Sequence, residues 1–302
     1  MKRRDFIQKT AAGTALALGG LSLSSFIAPQ LKKLTILHTN DVHSHIDPFD
    51  KTDPKYPDMG GAARRATLID SIRKENPNVL LLDAGDIFQG TPYFNYYGGE
   101  LEFKIMSMMQ YDLATMGNHD FDNGIDGFYA QLPHAKFDFV SANYDFKNTV
   151  LDGVVKPYKI FVKDGIKIGV FGLGIQLDGL VNKNLYKETV YNNPIEVAQD
   201  ITRTLKKTEK CDLVICLSHL GFMYKDEPEK VSDITLARKT RNIDLIIGGH
   251  THTFLTKPYI EKNLEGEQVL INQVGCYGLN LGCIDFYFSE GRTVTEGKTI
   301  VV

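Results

Sequence analysis

The sequence predicts an α/β fold with a largely buried sheet. Short runs rich in Val, Ile and Leu recur from Leu34 onward, amphipathic helical patterns separate them, and small polar clusters close the runs. Runs without polar alternation signal strands covered on both faces. Strands are expected at 34–38, 79–83, 113–116, 139–142, 167–173, 213–217 and 245–247, and helices at 61–74, 101–110 and 194–208. After Thr253 the pattern changes, and 269–273, 281–288 and 293–301 read as antiparallel closing strands. No repeat or low-complexity linker divides the chain, so one domain over 31–302 is expected.

Composition narrows the classes of function. The chain has 302 residues, 43% hydrophobic and 24% charged, which are ordinary globular values. A net charge of -3 leaves no overall cationic field to gather phosphate backbones, so binding of nucleic-acid polymers is not expected. Lys2, Arg3 and Arg4 precede Asp5 and Phe6, and an uncharged stretch follows over 11–29. Residues 1–30 are therefore expected to be a twin-arginine export signal, placing the protein in the periplasm or outside the cell. The Gly, Thr and Ser content of that stretch makes a membrane span the weaker reading, and an uncleaved signal would be the membrane attachment. Cys211, Cys216, Cys276 and Cys283 stand singly in or beside apolar runs, without C-x-x-C pairing, and read as buried small hydrophobes.

The chemistry-bearing residues fall just past the expected strands. Thr39-Asn40-Asp41-Val42-His43 follows the first, Asp83-Ala84-Gly85-Asp86 the second and Gly117-Asn118-His119-Asp120 the third. Ser218-His219 and Gly248-Gly249-His250-Thr251-His252 follow two later ones. In open α/β sheets ligands bind beyond the carboxyl ends of the strands, so these clusters are expected to converge. Imidazole, carboxylate and amide oxygen together suit Zn, Mn or Fe better than Mg or Ca alone. Gly85, Gly117, Gly248 and Gly249 would let the backbone bend sharply near an ion.

Other features have plainer readings. His38, His45 and His134 are expected to be hydrogen-bonded structural residues, and Met106, Met108 and Met109 to pack a helix. Gly172-Leu173-Gly174 reads as a tight strand turn, and Arg64 and Arg65 as helix anchors through ion pairs. Tyr93, Tyr96 and Tyr97 either line a cleft mouth or form an exposed aromatic loop.

Asp41-x-His43, Gly85-Asp86, Gly117-Asn118-His119-Asp120, His219 and Gly249-His250-x-His252, taken in order, resemble the motif set of the calcineurin-like metallophosphoesterases. With Gly60-Gly61-x-Ala63-Arg64 and Phe121-Asp122 added, they resemble the N-terminal catalytic domain of exported 5'-nucleotidases over residues 34–290. The resemblance implies a four-layer α/β/β/α sandwich with two mixed sheets. It implies two divalent metal ions, Zn, Mn or similar. The first would be held by Asp41, His43, Asp86 and His252, the second by Asp86, Asn118, His219 and His250, with Asp86 bridging. His119 would face the scissile phosphate, contacting substrate with Asn118, and Asp122 would orient its ring. A metal-activated water would be the nucleophile, and the substrate a small phosphate ester such as a nucleotide. Proteins of that family continue into a second domain that holds the base, whereas this chain stops at Val302. A separate substrate-binding chain is therefore an expected partner. Two other functions fit the same motifs: an exported dimanganese sulfur-compound hydrolase and a non-enzymatic metal-binding subunit.

Overall fold

The computed structural model describes residues 31–289 and 292–302, and the expected export signal lies outside the described residues. In chain order the strands are β1 (Lys32–Thr39), β2 (Val79–Asp83), β3 (Leu113–Ala114), β4 (Asp138–Phe139), β5 (Tyr144–Asp145), β6 (Tyr158–Lys163) and β7 (Ile166–Leu173). They continue as β8 (Val190–Tyr191), β9 (Leu213–Ser218), β10 (Leu245–Gly248), β11 (Tyr259–Lys262), β12 (Gln268–Asn272), β13 (Asn280–Ser289) and β14 (Arg292–Val301). The α-helices are α1 (Ala62–Glu75), α2 (Pro92–Tyr97), α3 (Glu100–Met108), α4 (Gly124–Gln131), α5 (Lys183–Tyr186), α6 (Pro194–Arg203) and α7 (Asp233–Lys239).

Two six-stranded mixed sheets result, ordered β14-β13-β1-β2-β3-β4 and β11-β12-β10-β9-β7-β6, beside a two-stranded pair of β5 and β8. β1 to β4 run parallel, with β13 antiparallel to β1 and β14 antiparallel to β13. In the second sheet β7, β9, β10 and β12 run parallel, and β6 and β11 close the edges antiparallel.

Side-chain alternation along the strands explains the layering. Ile36, Leu80 and Leu82 face Ile168, Ile215 and Ile247 in a core between the sheets, while Leu37 and Leu81 on the opposite face pack with Ile69, Phe103 and Phe128 from the helices. Val214, Cys216 and Ile246 turn to Ala198 and Leu236 on the far side of the second sheet. Each such fully buried Leu or Ile contributes about 1.5–3 kcal/mol, so this central layer fixes the alignment of the two sheets. The result is the expected order of helices, sheet, sheet and helices. Helix starts follow local chemistry. Pro194 occupies the first turn of α6, where the Asn193 side chain accepts from Ile195 N at 3.0 Å, and Ser232 and Thr235 form a capping box on α7.

Several expectations need correction. The segment expected at 269–273 forms β12, antiparallel as expected to the unforeseen edge strand β11 but parallel to β10 on its other side. β3 and β4 are two residues each, since the chain leaves the ladder early to build loops. Gly172 and Leu173 lie within β7 rather than in a turn. A Cβ on Gly172 would come 2.1 Å from Val140 O, so close backbone approach accounts for that glycine. Arg64 pairs with Asp58 at 2.8 Å, but Arg65 is buried against Gly278 and is absent from the ion pairs of the described residues. Met106 and Met109 are buried, while Met108 is exposed. All four cysteines are buried and unpaired, and His38 is buried with its Nε2 accepting from Asn272 Nδ2 at 2.9 Å. Among the described residues no helix is long and apolar enough to cross a membrane.

Candidate metal centre

The loops that leave β1, β2 and β3 meet those that leave β9 and β10 at one seam between the two sheets. Two groups of candidate metal-binding side chains form there: Asp41 with His43 and His252, and Asp86 with His219 and His250. His43 Nε2 lies 3.0 Å from His252 Nε2, and His252 Nε2 lies 3.4 Å from Asp41 Oδ1. His219 Nε2 is 3.0 Å from Asp86 Oδ2, and His43 Nε2 is 3.8 Å from the same oxygen. Asp86 therefore stands between the groups. Asn118 Oδ1 comes within 2.8 Å of His250 Nδ1, bringing the amide to the second group.

Backbone conformation makes this convergence. Asp41, His43, Asp86, His250 and His252 all have positive φ, between 50° and 71°, where residues other than glycine are uncommon. Such conformations cost on the order of 1–3 kcal/mol each and persist only where the surroundings impose them. Part of that imposition comes from Asp120. Its buried carboxylate accepts from the N–H groups of Asp86, Ile87, Phe88 and Gly117 at 2.8–3.2 Å, tying the second and third loops together. Burial and the neighbouring Asp86 raise its pKa. Although Asp120 lies inside a quoted motif, its spacing alone gave no role. Gly85 and Gly117 are required by proximity, because a Cβ on Gly117 would lie 2.2 Å from Asp86 Oδ1 and one on Gly85 would lie 2.5 Å from Gly117 N.

The ring nitrogens are oriented from behind. His219 Nδ1 lies 2.7 Å from Ala84 O and His43 Nδ1 lies 3.3 Å from Phe88 O, which directs both Nε2 atoms into the seam. His219 Nε2 is buried and lies 3.0 Å from Asp86 Oδ2 without the alignment of a hydrogen bond. A buried imidazole nitrogen directed at carboxylate oxygens is part of the donor set that a borderline divalent cation fits. Burial opposes charge on His219, but Asp86 outweighs it and lifts the pKa to about 10. Burial likewise opposes charge on His252, yet Asp41 holds it up at about 10, while burial and His219 push His250 down to about 4.

His119 stands beside these groups with its ring edge-on to His43, centroids 5.2 Å apart. Its Nδ1 lies 2.7 Å from Asp122 Oδ2, and that bond raises its pKa. The one-turn helix His119–Phe121 supplies the bend that lets residues three apart meet. All the expected site residues thus come together, and of the two aromatic readings the exposed one holds, on a helix rather than a loop. Tyr93, Tyr96 and Tyr97 lie on α2, with Tyr96 86% exposed, whereas the unforeseen Tyr277 approaches the imidazoles.

Residues 34–254 match the Calcineurin-like phosphoesterase family. The chain belongs to that family. The chain is 35% identical over 298 residues to the trifunctional nucleotide phosphoesterase protein YfkN of Bacillus subtilis, covering 88% of this chain and 19% of that one. It is 34% identical to the 5'-nucleotidase of Rattus norvegicus over 95% of this chain and 53% of the relative. A 5'-nucleotidase precursor from Thermus thermophilus superposes with a TM-score of 0.80 at 33% identity, covering 90% of this chain and 55% of that one. The chain thus spans about half the length of such nucleotidases, and less of YfkN.

Proposed function

We propose that this chain is a binuclear metal-dependent phosphohydrolase that releases phosphate from nucleotides or related phosphate esters. What carries the reading is the pair of candidate metal groups meeting at Asp86, with the His119–Asp122 pair alongside. Asp41, His43, Asp86 and His252 would hold one cation, and Asp86, Asn118, His219 and His250 the other. When bound, two such cations lower the pKa of a water and polarise phosphoryl oxygens, supplying nucleophile and charge stabilisation together.

The remaining work falls to the chain's own groups. Asn118 and His119 contact the phosphate. His119, whose cationic form Asp122 favours, stabilises the charge gathering on the phosphoryl group or gives its proton to the departing oxygen. Asp122 fixes the ring so that the opposite nitrogen faces the ester. Export by the twin-arginine route belongs to the same reading, and the amino-terminal sequence supports it.

The test is elemental analysis of the purified protein alongside phosphate and sulfate release from matched ester panels. About two divalent ions per chain and phosphate release are expected. His119→Asn should keep its metal and lose about 10²–10⁴ in kcat. Full activity in that variant overturns the role of His119, and a metal-loaded protein inert toward phosphate esters overturns the whole reading.

A further inference from the structure

Beside the imidazoles lies a group of rings that neither the cations nor His119 employ. Tyr277 sits with its centroid 5.8 Å from His252, 6.0 Å from His43 and 4.4 Å from His45. Tyr56 lies 6.4 Å from Tyr277 and, nearly parallel at 27°, 6.4 Å from Phe254. Phe49 fills the space behind, 5.4 Å from Tyr56 and 5.9 Å from Tyr277.

Two features show that the fold is arranged to hold these rings. Tyr277 has φ +61°, a conformation a bulky side chain rarely adopts, and its N–H donates to Asp41 O at 2.7 Å, so its position is tied to the loop carrying two candidate ligands. At Gly275 a Cβ would lie 2.2 Å from Phe254 Cε1, so only glycine lets the Phe254 ring rest on that backbone. Yet Phe254, two residues beyond His252, is 47% exposed. A ring held by backbone and still half exposed is a platform for another flat ring.

We propose that Phe254 and Tyr277, backed by Tyr56, form a stacking wall that selects phosphate esters whose organic part carries a flat aromatic base. The assignment rests on the phosphohydrolase reading above, which puts the phosphate at the cations and its organic group alongside. Stacking tolerates any base, because every base has a π-face. The wall therefore separates a nucleotide from its base-free sugar phosphate, and does not separate one nucleotide from another.

The decisive comparison is AMP against ribose 5-phosphate with the metal-loaded protein, since the two share the scissile bond and differ by the base. Wild type should favour AMP in kcat/KM by roughly ten-fold, mainly through KM, the scale of one stacked base. Phe254→Ala should bring the ratio near one, and Phe254→Trp should preserve it. A wild-type ratio near one, or a ratio unchanged in a folded Phe254→Ala variant, overturns the proposal. If wild type hydrolyses neither ester, the phosphohydrolase reading fails by itself. The wall is then read by calorimetric titration with adenosine, where binding lost in Phe254→Ala supports it and absence of binding to wild type overturns it.

Discussion

His219 and His38 occupy two regions of the same molecule and are equally hidden from water. His219 follows β9 at the seam, and His38 lies in β1 inside the sandwich. Burial pushes His38 down to about 3, whereas at His219 the adjacent Asp86 overcomes burial and carries the ring up to about 10. His38 spends its Nε2 on Asn272, while His219 spends its Nδ1 on a carbonyl and keeps Nε2 for the seam. The contrast teaches that depth does not distinguish a working histidine from a structural one. What it faces does.

The most severe way to break that contrast is to remove the charge that His219 faces. Asp86→Asn should abolish binding of both cations by elemental analysis and lower turnover by at least about 10³-fold, the scale of losing a preorganised electrostatic stabiliser. Retention of two ions would mean that Asp86 does not bridge. A sharper version separates the two candidate groups. His219→Asn and His252→Asn should each lose about one ion, and His219→Asn should also lower stability by about 1–3 kcal/mol, because it leaves the buried Ala84 carbonyl without its partner. Equal stability of the two variants in urea unfolding would remove the distinction between deep and open positions.

The effect that leaves metal and turnover untouched concerns His38. Its folded pKa lies below its unfolded value, so between about pH 3 and 6.5 the unfolded chain binds one more proton and stability rises with pH. This contribution is complete above about pH 6.5 and is lost as pH falls toward 3. His38→Gln should flatten the stability slope across that window by up to about 1.4 kcal/mol per pH unit, measured by urea unfolding at a series of pH values. An unchanged slope would place the acid sensitivity elsewhere, for instance at His45, which burial lowers to about 4.

The sequence was legible where one physical cause acted alone. β2 is written as an unbroken apolar run, and the candidate ligands stand at strand ends, where sheet geometry itself gathers side chains. Edge strands were harder, because β6 and β11 are half exposed and carry no clear apolar rhythm. Strand direction is also absent from composition, which is why the parallel pairing of β12 with β10 goes unforeseen. Tyr277 and Phe254 escaped for a different reason. Their positions depend on contacts with Asp41 and with Gly275 that arise only on folding, although glycines at 275 and 278 flanking a tyrosine were a readable sign of unusual backbone.

Four of the seven candidate ligands leave the first sheet and three leave the second, with little but an oily layer joining those sheets beneath. Cations seated there would act as rivets at one edge of a laminate, and any slip of one layer over the other would change the spacing between them. Amino-acid changes far inside the sandwich would then reach the chemistry mechanically, by altering how the two plates align.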